Sequence, residues 1–229
     1  MEIKVLRNFQ EIRESSETVR SFCLNSHHDV QKNWDTLLAL QCILRKGIPN
    51  PIILDSGSGG KAVILQWLCK VLPLSKLYAC DRLQQKMSFF DSHNIAFDVC
   101  DISQTPYKDN FFDVITSVSV IEHGVNVVEF LEESYRVLKP GGTLIISTDY
   151  WDESIDVSLK YPYGKEYGPM KIFNRDEIES LIQNAGSIGF EICSCDRSML
   201  DTEEKVVLWK RMQERYTFIY LRFDKPLDA

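Results

Sequence analysis

Through the middle of the chain, short apolar runs alternate with amphipathic stretches. "PIILDS" reads as a strand, and "KAVILQWLCKVL" as a helix closed by Pro73. "KLYACD" is a strand ending at Asp81, "RLQQKMSFFDSHN" a helix, and "AFDVCDI" a strand ending near Asp101. "FFDVITSVSV" (strand), "VVEFLEESYRVL" (helix), "PGG" (turn) and "TLIISTDY" (strand) complete the series. A strand–helix rhythm of this kind predicts an α/β fold, a doubly wound parallel sheet with helices on both faces.

The flanks have a different texture. The first fifty residues read as helical: "DVQKNWDTLLALQCILRKG" places Val30, Trp34, Leu37, Leu38 and Cys42 at helical spacing before Gly47 and Pro49 end the segment. After Tyr150 the rhythm pauses. Residues 151–173 are polar and aromatic, with Trp151, Tyr161, Tyr163, Tyr167 and Phe173. Connections of that length in compact domains often serve as lids or binding loops. "NRDEIESLIQNAG" then resumes as a helix, with Asn174 and Glu177 as a capping pair and Gly186 closing it. "GFEICSCD" and "YTFIYLRF" read as two last strands; "TEEKVVLWKRMQE" between them stays ambiguous. The expected organisation is one domain over 1–229. It comprises a helical cap (1–49), a cofactor-binding core (50–150), a substrate loop (151–173) and a closing helix and strands (174–229).

Composition narrows the function classes. Net charge is −7 and no long basic run occurs, which argues against a large phosphate-backbone footprint and so against a nucleic-acid partner. The seven cysteines form no C-x-x-C pair, and most sit singly in apolar segments. Reduced buried thiols in a cytoplasmic protein are the expectation, with no metal site. "MEIKVLRNFQEIRESSE" lacks the apolar core of a signal peptide, and no stretch approaches membrane-span length. No membrane association is therefore expected.

The chemistry gathers at "PIILDSGSGGK", an apolar run that stops at Asp55 and breaks into Gly57, Gly59 and Gly60. Ligands of open parallel sheets bind beyond the carboxyl ends of the strands. Three more acids end later strands: Asp81, Asp101 and Asp149. Asp81 follows the turn at the distance expected of an acid that binds a ribose diol. Gly57, Gly59 and Ala62 also satisfy the dinucleotide fingerprint, so a nicotinamide enzyme competes with one using another adenosine cofactor. Asp55 separates the two. An acid so close to a pyrophosphate would repel it, whereas it suits S-adenosylmethionine, which carries an ammonium and a sulfonium and no phosphate.

"ILDSGSGG", "YACD", "VCDIS", "FFDVITSVSVIEHG" and "FLEESYRVLKPGGTLIIST" together resemble, in order, the motifs of class I S-adenosylmethionine-dependent methyltransferases. The resemblance runs from about residue 50 to about residue 150. It implies a Rossmann-like sheet of strand order 3-2-1-4-5-7-6, the last strand antiparallel. It implies that Asp55, Gly57, Ser58 and Gly59 border the methionine moiety and that Asp81 holds the ribose, with Arg82 or Leu83 beside the adenine. Asp101 and the backbone of Ile102 would meet the adenine, and Ser117 to Ser119 would line the floor near the sulfonium. Lys61 departs from the pattern, standing where the family usually has glycine; its side chain is expected to point away from the cofactor, with a contact to the cofactor carboxylate or a blocked site as alternatives.

Methyl transfer is an in-line displacement that gains much from positioning, and a hydroxyl acceptor also gains from a base. His123, in "IEHG", is the candidate base, and Asp149 and Tyr150 are candidate acceptor contacts on the same rim. Glu122 reads as structural or solvated. Asp152, Glu153 and Asp156 read as a solvated loop rather than Mg²⁺ ligands, "SHHD" as a loop or part of a lid, and Tyr161–Tyr167 as loop packing or a stacking surface. The reading that follows is methyl transfer to a small molecule or glycan, at oxygen, by a monomer or homodimer. N-methylation of a small amine, or a degenerate fold acting as a binding partner, remain as alternatives.

Overall fold

The computed structural model describes residues 1–162, 164–165, 168–192 and 196–229. In chain order its elements are β1 (Glu2–Val5), α1 (Phe9–Ser21), α2 (Lys32–Lys46), β2 (Ile52–Ser56), α3 (Val63–Val71), β3 (Lys76–Asp81), α4 (Ser88–Ser92), β4 (Ala96–Val99), β5 (Phe112–Val118), α5 (Val127–Val137), β6 (Leu138–Tyr150), α6 (Arg175–Ile188), β7 (Val207–Trp209) and β8 (Glu214–Asp224). Strands β2 to β6 are parallel and lie in the order β4–β3–β2–β5–β6. β8 adds antiparallel to β6 and carries β1 on its far edge, with β7 paired to β8 off this path.

Both faces of the sheet are covered, which is why its strands read as nearly unbroken apolar runs. Alternation along β2 sends Ile53 into the core beneath α1, α2 and α3, with Leu40, Leu65 and Trp67. It sends Leu54 into the core beneath α5 and α6, with Phe130, Leu131 and Leu181. α2 ends at Gly47, whose φ of 62° is the left-handed conformation that closes helices. Asn174 and Glu177 form the expected reciprocal cap on α6.

Several expectations shift. The outermost place of the sheet, beside β8, is filled by the N-terminal β1, in a region expected to be helical. Among the described residues of "GFEICSCD", expected as a strand, Glu191 bridges to Asp224; residues 193–195 lie outside the described residues. β1 is held at its end by Leu6, whose N–H donates to Phe218 O at 2.9 Å and whose carbonyl accepts the Thr217 hydroxyl. The helix expected at Arg82–Asn94 shrinks to α4. α6 continues through Gly186 and closes at Gly189. "PGG" sits in a bulge of β6, where pairing steps from Phe112–Leu138 to Val114–Thr143. Among the described residues no helix is long and apolar enough to cross a membrane.

Candidate active site

The glycine turn leaves β2 at the carboxyl edge of the parallel strands. It is folded back by two bonds to one acceptor: Gly57 and Ser58 donate their N–H groups to Cys80 O at 2.9 and 3.0 Å. Gly57 has φ +78°, and a Cβ there would lie 2.5 Å from both methyls of Val120. Gly59 has φ +56° and would meet nothing within 4 Å, so its bare side faces open space. The next residues enter α3 through Ala62, a non-glycine at φ 42°.

Asp81 is tied directly to this turn. Its two carboxylate oxygens accept N–H groups from Gly59 (3.0 Å) and Leu83 (2.8 Å). Each oxygen keeps a further lone pair, so the group is oriented and still able to take two hydroxyls. Arg82 and Leu83 are exposed beside it. Asp101 is exposed and accepts the Ser103 N–H at 2.9 Å; the Ile102 side chain is buried in the α5–α6 core.

Asp55 is 4 % exposed and accepts the Thr116 hydroxyl at 2.8 Å. Burial pushes its carboxyl up to about 6, with nearby Asp81 adding to the rise and the Thr116 and Ser58 side chains opposing it. A carboxyl raised in the folded state adds no penalty below its ordinary value of 3.8, destabilises increasingly between that value and about 6, and carries its full penalty above it. Asp55→Asn is therefore expected to stabilise the ligand-free protein at pH 8, by up to about 3 kcal/mol, and not at pH 4. Urea unfolding at the two pH values measures it; an equal effect at both would mean that the Asp55 charge is not destabilising.

A cavity of about 260 Å³ opens beside the turn. Residues 57–60 form one wall; Asp55, Thr36, Val118, Lys61, His27 and His28 line the cavity too, with the start of α3 at Ala62–Ile64. The histidines stand on a loop pinned from below. Asn33, fully buried, accepts the His27 N–H at 2.8 Å and donates to Ser26 and Ser16, and Trp67 donates to Asn25 O at 2.7 Å. The "SHHD" segment thus walls the cavity. Two larger cavities lie elsewhere, one beside β1 and α1 and one between α5 and α6.

At the ends of β5 and β6 lies a buried polar cluster. Lys32, from α2, donates to Ser119 Oγ, lies 3.7 Å from Asp35 Oδ2 and stands over the Phe218 ring. Asp35 accepts the Ser147 hydroxyl at 2.7 Å. Asp149 is buried there, and burial followed by the Glu122 carboxylate holds its carboxyl well above the usual range, against the pull of Lys32 and the Tyr216 hydroxyl. Glu122 is buried and accepts from Thr148 Oγ1 at 2.8 Å. His123 is half-buried, its ring edge-on to Trp209 with centroids 6.4 Å apart.

Two candidates do not join this arrangement. Tyr150 is buried in the α5–α6 core and donates its hydroxyl to Leu200 O at 2.7 Å. Successive residues of a strand face opposite sides, so Asp149 and Tyr150 cannot both face one pocket. Ser117 alternates in the same way with Thr116, which bonds Asp55, and Val118, which lines the cavity; its buried Oγ has no hydrogen-bond partner. Asp152 pairs with Arg175, and Asp156 bonds Ser158. Among the described residues no group of three His, Cys, Asp or Glu is placed to hold a metal ion. Tyr163 and Tyr167 lie outside the described residues. Lys32, Asp35, Thr36 and Tyr216 carry no motif; for the first three the one hint was the helical spacing of α2, and for Tyr216, on β8, there was none.

Sheet order, glycine turn and strand-end acids together define a class I methyltransferase fold. The sequence profile described as "Methyltransferase domain" matches residues 54–146, and over that stretch the chain is similar to this family. Among curated relatives, the sterol 24-C-methyltransferase of Candida albicans is 25% identical over 169 residues, 69% of this chain. The chain spans only 44% of that protein's length. The norajmaline N-methyltransferase of Rauvolfia serpentina is 38% identical over 52 residues, 23% of this chain and 18% of that protein. Among solved structures, the cyclase SpnF superposes with a TM-score of 0.64 at 17% identity, covering 96% of this chain and 94% of its own. The 1,6-didemethyltoxoflavin-N1-methyltransferase of Burkholderia thailandensis, solved with S-adenosylhomocysteine, gives 0.58 at 15% identity, covering 95% and 86%.

The residues present fit the cofactor. The turn offers bare backbone, Asp81 is held with free lone pairs, and one buried acid, Asp55, faces the cavity.

Proposed function

We propose that the chain transfers the methyl group of S-adenosylmethionine to a small hydroxylated molecule, at oxygen. The observation that carries this reading is the half-buried imidazole of His123 at the end of β5, on the rim that also holds the glycine turn and Asp149. The cofactor supplies an electrophilic methyl on a positively charged sulfur. Asp55 and the turn would hold its amino-acid end, Asp81 its ribose and Asp101 its adenine, while Ser119, which accepts from Lys32, would border the transfer point. With that group bound, His123 would take the proton of the acceptor hydroxyl as its oxygen receives the methyl group. The net charge of −7 supports a small acceptor over a nucleic acid.

A second reading has its own support. Four acidic groups (Asp35, Asp149, Glu122 and Asp29) act on Lys32 at this end of the site. Such an excess attracts an amine, as in small-molecule N-methylation. Labelled methyl transfer to panels of small alcohols, sugars and amines separates the two. Transfer to oxygen, with kcat reduced about a hundredfold in His123→Ala while S-adenosylhomocysteine binds as before, supports the first. Transfer to amines alone overturns it. A fold neighbour described as a cyclase makes transfer itself the quantity to measure.

A further inference from the structure

We propose that Lys61, together with His27, forms the seat for the carboxylate of the cofactor's methionine end; this rests on S-adenosylmethionine being the ligand. The amino-acid end of that ligand is a zwitterion, and the cavity is polarised to match one. Its acid is Asp55, buried at the end of β2. Its cationic side is built from Lys61, at the end of the glycine turn, and the pinned histidine loop facing it. The Lys61 carbonyl accepts Gln66 Nε2 at 2.6 Å, which fixes the backbone while the exposed ammonium stays free to settle on an anion.

His27 contributes a neutral donor. Its Nδ1 accepts the Asp29 N–H at 3.1 Å, so an uncharged ring carries its proton on Nε2. The ring is held neutral down to about pH 4, chiefly by burial and then by His28, Lys32 and Lys61 around it, with the Asp29 backbone bond opposing. Lys61 and His27 line the same cavity. An anion between them would meet one full positive charge and one N–H donor. The lysine, which departs from the usual glycine, would strengthen cofactor binding instead of blocking it.

The test compares S-adenosylhomocysteine with its decarboxylated analogue, which keeps the adenosine, sulfur and amine and lacks only the carboxylate. Calorimetric titration of the full chain with both ligands is repeated for Lys61→Gly and Lys61→Arg. For Lys61→Gly the expected result is about a tenfold loss toward S-adenosylhomocysteine, the scale of one charge-assisted hydrogen bond, and no change toward the analogue. Lys61→Arg should keep most of the affinity, and the salt dependence of binding should weaken in Lys61→Gly. Equal losses for both ligands would show that Lys61 acts through the shape of the turn and would overturn the proposal. So would unchanged or tighter binding in Lys61→Gly. A wild-type chain that binds neither ligand overturns the cofactor reading itself, and this inference with it.

Discussion

Gly57→Ala is expected to lose binding of S-adenosylhomocysteine and to unfold about 10 °C below wild type. Two independent effects combine. The backbone sits at φ +78°, where a Cβ costs about 1–2 kcal/mol. The added carbon would also lie 2.5 Å from both Val120 methyls, and overpacking of that kind costs about 1–3 kcal/mol. Together these give roughly 3 kcal/mol, and for a chain of this size each kcal/mol is worth about 2–4 °C. Gly59→Ala is the control: its φ of +56° is strained in the same way, yet its Cβ meets nothing within 4 Å, so it should fall only by the backbone part. Adding Val120→Ala to Gly57→Ala should recover part of the packing loss and none of the backbone loss. Equal midpoints for the two glycine variants would show that the Val120 contact relaxes freely and contributes nothing.

That turn was legible in the sequence because its constraint is local. A backbone that must bend tightly needs glycine at particular positions, and the acid that ties the turn down ends the next strand, so Gly57, Gly59 and Asp81 sit at readable spacing. The strand–helix rhythm was legible for a similar reason, since burial on both faces leaves each strand apolar throughout. β1 was not. It spans four residues, Glu2–Val5, and its partners lie at 219–222, at the other end of the chain; an alternation so short does not stand out beside a long helical segment. The burial of Tyr150 was available in principle, because adjacent strand residues face opposite sides once Asp149 is assigned to the rim. The polar cluster was out of reach. Lys32, Ser119, Ser147, Asp149 and Tyr216 come from four separate segments, and nothing in any one of them announces the others.

The second large effect tests whether that cluster is held together by charge. Lys32→Met is expected to cost about 3–5 kcal/mol at pH 7.5, the range seen when one partner of a buried ion pair is removed. The Lys32 side chain is 14% exposed and that of Asp35 is 0%, so solvent screens the pair little. Burial already raises Asp35 and Asp149 above the ordinary carboxylate range, and Lys32 is the strongest influence opposing that rise at Asp35. Without the ammonium, both carboxyls rise further. The sign follows from proton binding: between the ordinary value and the raised one, the folded state holds protons that the unfolded state has released, so stability increases as pH falls through that window. The deficit of Lys32→Met should therefore be largest at pH 7.5 and narrow markedly by pH 5. Adding Asp35→Asn, which removes one stranded charge, should restore part of the loss at pH 7.5 and little at pH 5. Denaturant unfolding of wild type, both single variants and the double variant at the two pH values gives the coupling directly. A deficit below about 1 kcal/mol, which is the scale of a solvated surface pair, or one that does not change with pH, would mean that Lys32 serves the cluster through its packing against Phe218 and not through its charge.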